Sequence, residues 1–96
     1  MKIRFEAELW PWREGSWCFV TVPPDHSEAI RSVPRPPRRG FGSLRVGVTV
    51  GTATWATSIF PDSDSGCFVL PIKKAVRAAE SLELGDTARV ELEVFD

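Results

Sequence analysis

Cys18-Phe19-Val20 recurs as Cys67-Phe68-Val69, 49 positions later, and the correspondence extends outward from that tripeptide. At the same offset Ala29 meets Ala78, Ser32 meets Ser81 and Val33 meets Leu82. Further along, Arg45-Val46 and Val50 match Arg89-Val90 and Val94 at an offset of 44. The change of five residues falls in one place, the connection after the first helix, which is longer in the first copy. Each half reads strand–strand–helix–strand, so the chain is expected to be a single domain, 1–96, of two internal repeats, about 1–50 and 51–96. A unit of that kind cannot cover its own apolar face, and two copies are expected to pack together and share one core.

The strands show a period of two. Ile3, Phe5, Ala7 and Leu9 alternate with Lys2, Arg4, Glu6 and Glu8, and Ala88, Val90, Leu92 and Val94 alternate with Arg89, Glu91 and Glu93. Such alternation sets apolar side chains on one face and charges on the other. Trp17–Val22, Leu44–Val50, Thr54–Phe60 and Gly66–Leu70 are rich in β-branched and aromatic residues and complete a set of six strands. Arg13-Glu14-Gly15-Ser16, Gly51-Thr52 and Pro61–Gly66 read as turns that join antiparallel neighbours. A first helix follows Pro23-Pro24, with Asp25 and Glu28 at capping-box spacing, and ends before Pro34. A second runs from about Ile72 to Leu82, with Ile72, Val76 and Ala79 on one stripe. Six strands with short turns predict a mainly β fold with two short helices, a closed or split six-stranded β-barrel that removes exposed edges.

Composition narrows the functional classes. The chain has 96 residues, 43% apolar and 26% charged, with a formal net charge of −1. No apolar run approaches the roughly 18 residues of a membrane span, and the alternating N-terminus does not read as a signal peptide. Two cysteines are too few for a disulfide scaffold and read as a reduced pair in a cytoplasmic protein.

Several stretches carry a family resemblance: Phe5-Glu6-Ala7-Glu8-Leu9-Trp10, Trp17-Cys18-Phe19-Val20, Val46-Gly47-Val48-Thr49-Val50-Gly51 and Thr57-Ser58-Ile59-Phe60-Pro61. Leu70-Pro71-Ile72-Lys73-Lys74-Ala75-Val76-Arg77 and Leu84-Gly85-Asp86 complete it, and are its most specific part. In that order the chain resembles an uncharacterised bacterial family of small domains of unknown function, over nearly its whole length. The resemblance implies a double-split β-barrel related to the AbrB/MazE transcription-factor and antitoxin fold. Some members are joined to a helical YdeI/OmpD-associated (bacteriocin-protection) domain. The family brings no catalytic residues to carry over, and a fold is not a function.

Charge is unevenly placed. Between Ala29 and Pro61 lie Arg31, Arg35, Arg38, Arg39 and Arg45 and no acid. Four of these sit around Pro34–Gly40, a proline-stiffened stretch able to present forked donors to phosphate or carboxylate. Trp10 and Trp12, at a strand end, are candidates to stack beside them or to cap the barrel, while Trp17 and Trp55 are expected inside, as core or barrel-mouth packing. Asp62-Ser63-Asp64-Ser65-Gly66 lacks the ligands of a calcium loop and reads as a polar hairpin turn. Cys18 and Cys67, at equivalent repeat positions, read as small buried side chains. His26 is their one possible base, zinc would need a fourth ligand, and no phosphate-cradling glycine loop is present.

The expectation is a non-catalytic binding or interaction module without a cofactor, monomeric or homodimeric, contacting an anionic partner through Arg31, Arg35, Arg38, Arg39, Arg45, Trp10 and Trp12. The alternatives are a nucleic-acid-binding or regulatory protein of AbrB/MazE type and a small-ligand-binding domain. If all five arginines engage a single strand, log affinity falls with log salt at a slope of about −3.5 in a titration, and a flat dependence removes that reading.

Overall fold

A computed structural model describes residues 1–12, 17–33 and 42–95. Its elements run β1 (Lys2–Glu8), β2 (Trp10–Pro11), β3 (Cys18–Thr21), α1 (Pro24–Ser32), β4 (Leu44–Val50), β5 (Ala53–Pro61), β6 (Phe68–Pro71), α2 (Lys74–Ala79) and β7 (Thr87–Val94). The seven strands form one antiparallel sheet in the order β1-β7-β4-β5-β6-β3-β2, curled into a half-barrel. The count is seven rather than six because the first strand breaks at Leu9. There the backbone leaves the ladder: the Leu9 N–H donates to the Asp86 carbonyl and the Leu9 carbonyl accepts from the Gly85 N–H, both at 2.9 Å. The side chain is turned into the core.

Alternation decides what faces inward. Leu44, Val46, Val48 and Val50 of β4 and Ala88, Val90, Leu92 and Val94 of β7 are all buried, while the residues between them face solvent wholly or in part. Val20, Val22, Leu70 and Ile72 join the same cluster, closed over by Ile30 of α1 and Val76 of α2.

The two ladders that join the first stretch to the second differ in how they keep the repeat. In β3–β6, Val20 faces Leu70 and Thr21 faces Val69. An offset of 49 would exchange these two pairs. Val20 and Leu70 point into the core, however, whereas Thr21 and Val69 lie on the outer face, so this offset does not preserve the faces of the ladder. In β4–β7, Val48 faces Leu92, a pair that the offset of 44 maps onto itself, and Gly47–Glu93 exchanges with Thr49–Glu91.

The helices differ in detail from their sequence pattern. Pro23 holds the N-cap of α1 and no side chain caps it. Asp25 accepts from the His26 N–H (2.9 Å) and Glu28 binds Arg31 (3.0 Å), so the capping box does not form. Pro24 in the first turn lacks an N–H to satisfy, which lessens the need for a cap. Helix α2 is shorter than its apolar stripe, because Ile72 is claimed by the sheet: its N–H donates to the Cys18 carbonyl (2.9 Å). Ala79 is exposed, and Ser81, at φ 54°, ends the helix. Past that end, Glu80 accepts from the Thr52 hydroxyl (2.9 Å) at the β4–β5 turn. Gly51 has φ +60°, a left-handed backbone that favours glycine, and a Cβ there would displace the end of the Glu80 side chain.

Ser27 is the one buried polar side chain among the described residues. Its hydroxyl donates to the Val22 carbonyl (2.9 Å) and accepts from the Phe68 N–H (3.1 Å), pinning α1 to β3 and β6 at once. Ser27→Ala leaves the Phe68 amide without its partner and is expected to lower stability by about 1–3 kcal/mol in urea unfolding. An unchanged midpoint would show that the pin is dispensable.

Candidate functional site

The face of β2, β3, β6 and β5 that points away from the core is aromatic. Trp10 lies opposite Phe19, and Phe19 opposite Pro71, giving one row across three strands. The next row is Thr21, Val69 and Phe60. Side chains two apart share a face, so Trp12 and Trp17 continue the pattern beyond Trp10 and Phe19, with the Trp12 N–H donating to the Trp17 carbonyl (2.8 Å). Phe19 is the hub. Its ring lies 5.3 Å from Trp10, 5.7 Å from Trp12 and 6.3 Å from Trp17, centroid to centroid. Trp10 is fixed further by its indole N–H, which donates to Thr21 Oγ1 (2.9 Å). The outer rings stay open: Trp12 is 41% exposed, Trp17 59% and Phe60 41%.

Trp17 therefore corrects the expectation of core packing, whereas Trp55 does pack against the core as a half-buried ring. The reason is strand parity. Cys18, Val20 and Val22 take the inward positions, so Trp17, Phe19 and Thr21 must face out. That signal lies in Trp17–Val22 itself and is legible once the inward set is fixed.

The arginines fare differently. Arg31 donates to the Gly66 carbonyl (2.7 Å) and to Glu28 (3.0 Å), with its guanidinium 5.9 Å from the Phe68 ring centroid. Arg45 is an exposed residue of β4 opposite Ser58. Arg35, Arg38 and Arg39 lie outside the described residues. Arg31 and the tryptophan hairpin do not meet. Phe68, beside Arg31, accepts from the Val22 N–H at one end of the β3–β6 ladder, while Cys18, beside Trp17, accepts from Ile72 at the other. Four residues of strand, roughly 13 Å, separate those ends.

The model of the domain of unknown function DUF1905 matches residues 5–92. The chain belongs to that family. No curated protein matches it.

The opposite flank of this DUF1905 domain, the outer face of β1, β7, β4 and β5, carries two open grooves of about 470 and 480 Å³. Several charges there are paired: Glu91 with Arg4 (3.3 Å) and Lys2 (3.7 Å), and Arg89 with Glu6 (3.1 Å). The Phe95 ring lies over Gly47, where an added Cβ would come within 3.1 Å of it. Cys18 and Cys67 are buried and unbonded to each other. Asp62 accepts from the Asp64 N–H (3.3 Å) and the Ser65 hydroxyl (2.9 Å), the local bonding of a polar turn. Among the described residues, no three His, Cys, Asp or Glu side chains converge as a metal site would require. Among the described residues, no helix is long and apolar enough to cross a membrane.

Proposed function

We propose that this domain is a non-catalytic binding module and that its contact surface is the aromatic face of the β2–β3 hairpin. The observation that carries this reading is the pair of partly exposed rings, Trp12 and Trp17, gathered on Phe19 at a sheet face away from the core. Indole rings supply much contact area at small conformational cost, and binding energy concentrates on such residues. A contiguous apolar patch on a small domain marks an interaction surface more often than chance exposure does. Support therefore falls on Trp10 and Trp12, joined by Trp17 and Phe19, more than on Arg31, which already spends its donors on Gly66 and Glu28. A small-ligand reading finds support in the two open grooves on the opposite flank.

The finer architecture belongs to the same proposal. Taking residues 2–11 as one strand bent at Leu9 joins the two ends of the strand order and closes a six-stranded double-split barrel of AbrB/MazE type. The β4–β7 ladder, whose pairs exchange on one face under the offset of 44, supports an origin by duplication, whereas the Cys-Phe-Val offset of 49 reverses the faces in β3–β6. Unbonded cysteines are in keeping with a reducing, cytoplasmic setting.

Rings kept for contact are expected to contribute little to folding. The double variant Trp12→Ser/Trp17→Ser should shift Tm by less than about 4 °C, the effect of surface substitutions in a domain of this size. Trp10→Ala, which removes the stacked ring and its bond to Thr21, should cost clearly more. A double variant that melts as early as Trp10→Ala would show that the outer rings are structural and end the proposal.

A further inference from the structure

We infer that the aromatic face takes single-stranded nucleic acid, with bases stacking on Trp17 and Trp12 and the backbone phosphates meeting Lys73 and Lys74. The inference rests on that face being the contact surface and adds the chemistry of its partner. The last bond of the β3–β6 ladder runs from the Ile72 N–H to the Cys18 carbonyl. The antiparallel register carried one pair further sets Lys73 across from Trp17. Lys73 is the N-cap of α2 and Lys74 its first residue, and both are exposed. Among the described residues neither ammonium group has a carboxylate partner. Two acids border the aromatic face among the described residues: Asp62, past Phe60 and engaged by the Ser65 hydroxyl and the Asp64 amide, and exposed Glu8, two residues before Trp10 and on the side of it away from Trp12. The face thus runs from partly exposed indoles beside Lys73 and Lys74 to Phe60, Asp62 and Glu8 away from them.

That polarity selects the occupant. Aromatic rings beside cations are the parts with which proteins hold single strands: every base has a flat face to stack, at about 1–3 kcal/mol each, and each phosphate accepts a cation. A second copy of this chain would bring two more ammonium groups of the same sign to the interface. An uncharged partner would leave both lysines unused.

The test is a titration of the full chain's tryptophan fluorescence with an oligothymidylate of roughly 12 nucleotides, near one site size. Saturable quenching is expected at low salt, with log affinity falling against log salt at a slope of about −1.4, two phosphates at about −0.7 each. Trp17→Ala should weaken binding by about tenfold, the loss of one stacked base. Lys73→Gln/Lys74→Gln should flatten the salt dependence and leave the fold intact by circular dichroism. Absence of quenching, unchanged binding by Trp17→Ala, or a slope near the −3.5 of the arginine stretch would each overturn the inference. So would sedimentation showing a dimer that Trp17→Ala dissolves, which would make the occupant a second copy. If no oligonucleotide binds while Trp12→Ser/Trp17→Ser keeps its Tm, the contact surface stands and its nucleic-acid partner falls. If the double variant unfolds, both fall.

Discussion

Val48 and Leu92 face each other across the β4–β7 ladder, both enclosed, and the remaining strands are placed relative to that pair. β1 adds to the free side of β7 and β5 to the free side of β4. The register is strongly held. A slip of one residue would turn Thr49 and Glu91 into the core and expose Val48 or Leu92, reversing the burial of a whole strand. Burying one such side chain stabilises by about 1.5–3 kcal/mol, so the ladder's combined penalty for slipping exceeds any gain from alternative pairings. The charges on the outer face reinforce the same alignment only weakly, because Arg4 and Lys2, which pair with Glu91, are largely solvated.

The aromatic face follows from the second shared ladder. β3 and β6 give the core Cys18, Val20, Leu70 and Ile72, and the opposite parity leaves Trp17, Phe19 and Pro71 outside. A fold built to seal its interior thus raises a row of rings on its exterior, and the Trp10–Thr21 bond and the stacking on Phe19 hold that row in place. Ser27 ties α1 to both strands beneath it, so core, helix and aromatic face share one rigid base.

Much of this is legible from residue order. The alternations in Lys2–Leu9 and Thr87–Val94, the turn at Gly51-Thr52 and the two helices follow from period and punctuation alone. The exceptions have local causes. Leu9 breaks β1 from β2 because its backbone bonds to the Gly85-Asp86 turn, a partner 76 residues downstream that no local pattern reveals. Helix α2 loses its first turn because Ile72 serves the sheet, and an apolar residue at a boundary suits either element. Trp17 reads as buried by bulk and strand position, whereas its parity with Cys18 turns it outward. For the candidate site, Trp10 and Trp12 stood out by type. Phe19 as hub and Lys73 as neighbour emerge only once the β3–β6 register is known. Arginine density marked a charged stretch without indicating that Arg31 would turn back onto Gly66 and Glu28.

Native-state hydrogen exchange on the full chain tests the central claim, that the two stretches fold only by sealing each other, most directly. The amides at the centres of both shared ladders, those of Val20, Val48, Leu70 and Leu92, should exchange last and together, with one free energy equal to that of global unfolding. Protection that survives in β1, β3 and β4 after β5, β6 and β7 have opened, or the reverse, would contradict it.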